Sequence, residues 1–86
     1  MKCSVEISMY PLKKKYKDHI ICFIKKLRKY KTIKVISNGM STQVFGDYDD
    51  VCTTINKEIK LAFKNKNKIV FNLKIVNSDL SKIEDF

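Results

Sequence analysis

Between Lys2 and Tyr10 polar and apolar side chains alternate strictly: Cys3, Val5, Ile7 and Met9 point one way, and Lys2, Ser4, Glu6, Ser8 and Tyr10 the other. A period of two predicts a strand with one buried face. Pro11, which cannot donate to a ladder, ends it, and Leu12-Lys13-Lys14-Lys15 is the connection. From Tyr16 to about Tyr30 the period lengthens. Tyr16, Ile20, Phe23, Ile24 and Leu27 form the apolar stripe of a helix, and Lys25, Lys26, Arg28 and Lys29 suit its negative dipole end. Ile33 to Ser37 reads as a second strand and Met40 to Phe45 as a third. Val51, Ile55, Ile59, Ala62 and Phe63 mark a second helix over about Tyr48 to Lys64, with Asp47 as N-cap and Asn65 and Asn67 bracketing its end. Lys68 to Asn77 alternates again, with Ile69, Phe71, Leu73 and Ile75 opposite Val70, Asn72, Lys74 and Val76.

The stretch Ser37 to Val51, SNGMSTQVFGDYDDV, joins three of these elements. Asn38-Gly39 between two β-rich runs predicts a two-residue type I′ turn with φ > 0 at both residues. That turn pairs Ser37 with Met40, Ile36 with Ser41, Val35 with Thr42 and Lys34 with Gln43. Ile33, Val35, Thr42 and Val44 then share one face, and Ile36, Ser41, Gln43 and Phe45 the other. Asp47, Asp49 and Asp50 place acids where a helix start favours them.

The order β-α-β-β-α-β is the ferredoxin-like α+β plan, a four-stranded antiparallel sheet with two helices on one face. Its first and third strands are the central pair. The uncovered face carries Ser4, Glu6, Ser8, Ser41, Gln43, Asn72 and Lys74, mixed with Ile36, Phe45, Val70 and Val76. One domain is expected over residues 1–79, followed by a C-terminal tail at 80–86.

Eighty-six residues bury only about 60–65 % of their unfolded surface. With Ile36, Phe45 and Val76 making the uncovered face partly apolar, a homodimer or higher homo-oligomer is expected. The longest apolar run, Ile20 to Ile24, falls far short of the ~20 residues of a membrane span. The N-terminus lacks a signal-peptide core, so membrane insertion is not expected and the cytoplasm is the expected location. Cys3, Cys22 and Cys52, without CxxC spacing or a nearby histidine, argue against zinc or a disulfide framework and for reduced, buried thiols. The net charge of +9 comes almost wholly from lysines scattered along a chain also rich in Asn and Ile.

Little in the chain supports catalysis. His19 is the only histidine; there are two glycines, no GxSxG, no HExxH and no phosphate loop. RNA recognition shares the element order, but its third strand needs stacking aromatics. Here MSTQVFG offers Phe45 alone, and Glu6 sits where the first strand would need another, so no nucleic-acid partner is expected. Glu6, Ser8, Ser41, Thr42 and Gln43 instead gather neutral donors and acceptors around one carboxylate, which suits a neutral or cationic heterocycle, or simply solvent.

VEISMYPL, NGMSTQVFGDYDDV and KIVFNLKIVNSD together resemble the YkoF-type thiamine/hydroxymethylpyrimidine-binding family over residues 4 to 79. The resemblance implies a ferredoxin-like fold, no catalytic activity, no cofactor, and binding of thiamine or its hydroxymethylpyrimidine moiety, with assembly through sheets. It points to cytosolic thiamine uptake, salvage or storage. Some members carry two tandem copies, and a related single-domain group shares the fold without a common ligand, so a ligand-free or differently liganded oligomerisation or regulatory module is the alternative. The candidate ligand-binding residues are Glu6, Ser8, Asn38, Met40, Ser41, Thr42 and Gln43. Asn38 is already accounted for by the turn, and Met40 suits core as well as pocket. Thr42, on the helix-facing side, carries a hydroxyl that a ligand or the local backbone could satisfy.

Overall fold

The structure, a computed structural model, describes residues 1–64 and 68–82. Six elements follow in order: β1 (Lys2–Pro11), α1 (Tyr16–Leu27), β2 (Lys34–Ser37), β3 (Thr42–Asp47), α2 (Tyr48–Phe63) and β4 (Ile69–Val76). The sheet is antiparallel in the order β2-β3-β1-β4, with β1 and β3 central. This is the ferredoxin-like arrangement.

The strand alternation decides which face is buried. Cys3, Val5 and Ile7 of β1 and Val44 of β3 pack against Phe23 and Leu27 of α1 and Val51 and Ile55 of α2. Leu27, Val44 and Val51 are completely excluded from solvent. Phe71 of β4 extends this core, its ring centroid 5.1 Å from Phe23 and 5.5 Å from Phe63. Gly46 lets β3 pass close beneath α2: a Cβ there would meet the Thr32 carbonyl oxygen at 3.1 Å and Val51 Cγ2 at 3.2 Å.

The hairpin departs from the expected turn. Neither Asn38 nor Gly39 has positive φ, and Lys15 at 58° is the sole non-glycine residue with positive φ among those described. The observed pairs are Ser37 with Thr42, Ile36 with Gln43, Val35 with Val44 and Lys34 with Phe45. The register has moved by two residues, which leaves a four-residue loop at 38–41. Asn38 organises it through its side chain: Oδ1 accepts from the backbone N–H of Met40 (2.8 Å) and Ser41 (3.2 Å). An Asx turn therefore replaces the left-handed conformation. Because a shift of two preserves parity, the expected division of faces survives.

The helix ends differ in smaller ways. Asp47 occupies the N-cap of α2, but its side chain makes no capping bond. Its carboxylate lies 3.5 Å from Lys2 Nζ, and the Met1 carbonyl accepts the Tyr48 N–H (2.8 Å). α1 stops at Leu27 rather than near Tyr30, as Lys29 and Tyr30 bond back to Lys26 and Leu27 in a tightened turn. The placement of Asn65 and Asn67 at the end of α2 lies outside the described residues.

The uncovered face is less bare than its alternation suggests. The segment after β4 folds over one corner, where Ser4 Oγ donates to the Ser78 carbonyl (2.7 Å) and accepts from the Leu80 N–H (2.8 Å). Ser4, and its cross-strand partner Phe45, both expected to face solvent, are buried. Of the three free thiols, Cys3 is buried but Cys22 is exposed, contrary to the expectation of buried cysteines.

Candidate functional site

A cleft arises where the strands differ in length. β1 pairs with β3 only as far as Ile7 and Thr42, yet runs on beside β4 through Met9 and Phe71 to Pro11 and Ile69. Beyond Ile7 the side of β1 facing β3 has no strand against it, and the 38–41 loop stands across the gap. The first half of α1 roofs the space. The resulting cleft of about 430 Å³ has an apolar wall of Ile7, Met9, Ile20, Phe23 and Ile24 and a polar end of Ser37, Asn38, Ser41 and Thr42. Such a size and lining lie within the ordinary range for small-molecule sites.

The polar end has defined hydrogen-bond directions. Ser37 Oγ and Thr42 Oγ1 lie 2.8 Å apart and share one proton between them, so the other hydroxyl proton of the pair remains free to donate elsewhere. This answers the question posed by Thr42 on the helix-facing side: it is buried, and its near partner is a neighbouring hydroxyl. Ser41 Oγ donates to Glu6 Oε2 at 3.0 Å. Its lone pairs are then left as acceptors.

The seven candidate residues divide into two groups. Ser8, Asn38, Met40, Ser41 and Thr42 line the cleft. Met40 is 89 % exposed at its mouth, so its side chain is not core. Glu6 and Gln43, paired across the central strands, instead line a wider depression of about 600 Å³ on the open sheet face with Phe45, Lys74, Val76 and Leu80. Glu6 Oε1 lies 3.6 Å from Lys74 Nζ, so its charge is partly offset there. Ser41 is the link between the two groups. The sequence reading missed Ser37, Leu12 and Tyr16 as lining residues. The signal for the last two was available, since they flank the loop at the end of β1 that the over-long strand leaves uncovered.

Away from the cleft, α2 buries Glu58, whose Oε2 accepts from the Tyr30 hydroxyl at 2.7 Å. That hydrogen bond, with burial and the carboxylate charge behind it, raises the Tyr30 pKa. No group of three or more His, Cys, Asp or Glu side chains among the described residues is placed to hold a metal ion. No described helix is long and apolar enough to cross a membrane.

The model of the YKOF-related family matches residues 2–79. Solved structures share the fold, among them the following three. A Streptococcus pneumoniae protein superposes with a TM-score of 0.83 at 19 % identity, over 96 % of this chain and 93 % of its own. A candidate thiamine biosynthesis/salvage protein of Thermotoga maritima gives 0.79 at 18 % identity, over 91 % and 85 %. A domain of unknown function from Bacillus cereus gives 0.72 at 11 %, over 98 % and 83 %. At these identities the likeness extends to the fold alone. Among curated proteins, none matches this chain.

Proposed function

This chain belongs to the YKOF-related family, and from that premise we propose that it is a non-catalytic binding protein for thiamine or its hydroxymethylpyrimidine moiety, acting in cytoplasmic uptake, salvage or storage. The observation that carries the reading is the convergence of five candidate residues, Ser8, Asn38, Met40, Ser41 and Thr42, on one cleft with an apolar wall and a hydroxyl-rich end. An aminopyrimidine presents an exocyclic amino donor beside a ring-nitrogen acceptor. Ser41, its proton committed to Glu6, accepts from the amino group, and the free proton of the Ser37–Thr42 pair donates to the ring nitrogen. Ile20, Phe23 and Ile24 cover the flat ring. The candidate salvage protein of Thermotoga maritima supports the ligand class.

Glu6 changes role in this reading. It lies outside the cleft and fixes the direction of the Ser41 hydroxyl instead of meeting the ligand cation. The protein works as a homodimer or larger homo-oligomer, supported by Ile36, Val70 and Val76 exposed on the open sheet face. Isothermal titration calorimetry with thiamine and with hydroxymethylpyrimidine tests the proposal. Thr42→Val and Ser41→Ala should each weaken binding by about 0.5–1.5 kcal/mol, the range of one neutral hydrogen bond. Absence of heat with both compounds would leave the ligand-free or differently liganded module as the correct reading.

A further inference from the structure

The two ends of the sheet differ in charge. The end where β1 finishes carries Lys13, Lys14 and Lys15 in the β1–α1 connection and Lys17 in the first turn of α1. Lys68 joins them, its carbonyl accepting the Leu12 N–H at 3.0 Å. Asp18 is the acid in that first turn. The opposite end is mixed in sign: Asp47, Asp49 and Asp50 start α2 there, Lys2 pairs with Asp47, and Arg28, Lys29 and Lys31 follow α1. The cleft opens at the lysine end. Leu12 and Tyr16, the residues on either side of the three-lysine run, both line it, and its lining among the described residues includes neither a carboxylate nor a lysine, so the lysines stand at its margin.

This distribution is unfavourable for a bare cation. Thiamine carries a positive thiazolium, and the one candidate carboxylate, Glu6, is turned away toward Lys74. Lysines at the positive end of a helix are also electrostatically unfavourable. Lys15 is the N-cap of α1 at φ 58°, with no side-chain cap. A phosphate ester reverses both conflicts, as its charge of about −1.5 to −2 more than offsets the thiazolium and is attracted to the lysine loop that flanks the cleft.

We propose that the ligand of this cleft is a phosphate ester of the heterocycle, its ring against the Ser41–Thr42 end and its phosphate at the Lys13–Lys15 loop. The proposal rests on the cleft being the binding site. Calorimetry with thiamine, thiamine monophosphate and inorganic phosphate, on the parent and a Lys13→Gln/Lys14→Gln/Lys15→Gln variant, tests it. In low salt the monophosphate should bind the parent about tenfold or more tightly than thiamine, and that advantage should shrink as salt screens the lysines. In the triple variant the two should come within about twofold, with thiamine itself unweakened. Thr42→Val should weaken both compounds by the same factor. Equal affinities in the parent, or a preference that persists in the triple variant, overturn the phosphate assignment while leaving the cleft intact. Preference retained in the triple variant with inorganic phosphate binding equally well would mark a phosphate site elsewhere and also overturn it. No binding of either heterocycle removes the cleft reading and the phosphate assignment together.

Discussion

Replacing Tyr30 by Phe isolates one contact that fixes the turn after α1, the helix that roofs the cleft, to α2. The change deletes the hydroxyl that donates to Glu58 Oε2 at 2.7 Å. Glu58 is 5 % exposed, and its other oxygen, Oε1, has no hydrogen-bond partner among the described residues. The variant therefore leaves a buried carboxylate without a protein donor. A hydrogen bond to a charged group contributes about 1.5–3 kcal/mol, which for a domain of this size lowers Tm by on the order of 10 °C. Urea denaturation of Tyr30→Phe should show that loss at neutral pH. Adding Glu58→Leu should recover most of it, because removing both members of a buried polar pair costs far less than removing one. The pair also sets a pH dependence. The Tyr30 pKa is raised above its ordinary 10.0, first by the bond to Glu58. Its contribution is thus complete below pH 10 and disappears as the pH rises through the folded-state value. Tyr30→Phe should lose that part of the alkaline destabilisation, while Cys3 and Tyr48, shifted in the same direction, retain theirs. A Tyr30→Phe midpoint within about 0.5 kcal/mol of the parent would refute the reasoning.

Gly46→Ala should destabilise by about 1–3 kcal/mol through overpacking against the Thr32 carbonyl and Val51. Gly39→Ala, with open space around its Cβ and no positive φ, should stay within about 0.5 kcal/mol; chemical denaturation of the two variants checks the contrast. Glu6→Gln should weaken hydroxymethylpyrimidine by less than Ser41→Ala does in calorimetry, since it loosens the orientation of the serine without removing the acceptor. Sedimentation at tens of micromolar should give at least twice the 10.1 kDa of one chain, and a single-chain mass would contradict the assembly.

The sequence made the sheet faces legible and left the site half hidden, for physical reasons. Side-chain alternation has a period of two, so it remained correct when the hairpin register moved by two residues. Asn38-Gly39 marked the loop but not its type. An asparagine can serve a turn by adopting φ > 0 or by accepting backbone N–H groups, and here it does the second. The hydrogen bonds that hold Ser4 come from residues 78–80, a segment with no periodicity to read. The cleft was legible only in its residues. Ser41 and Thr42 stood out as clustered polar groups, but the cavity beside them exists because β1 outruns β3, a difference in length that alternation within each strand does not reveal. Alternation already put Glu6 and Thr42 on opposite faces of the sheet, and it is the cleft's position that decides which of them faces it. Glu58 likewise became a core residue because Tyr30, 28 positions away, supplies its donor.

The most direct test is to map where hydroxymethylpyrimidine perturbs the amide spectrum of the isotope-labelled protein. Ligand in the cleft should shift Ser8, Met40, Ser41 and Thr42, with Ile20 and Ile24 across from them, and leave Phe45, Lys74 and Val76 near their free positions. Shifts centred on Phe45, Lys74 and Val76 would place the ligand on the open sheet face and contradict the cleft as the binding site.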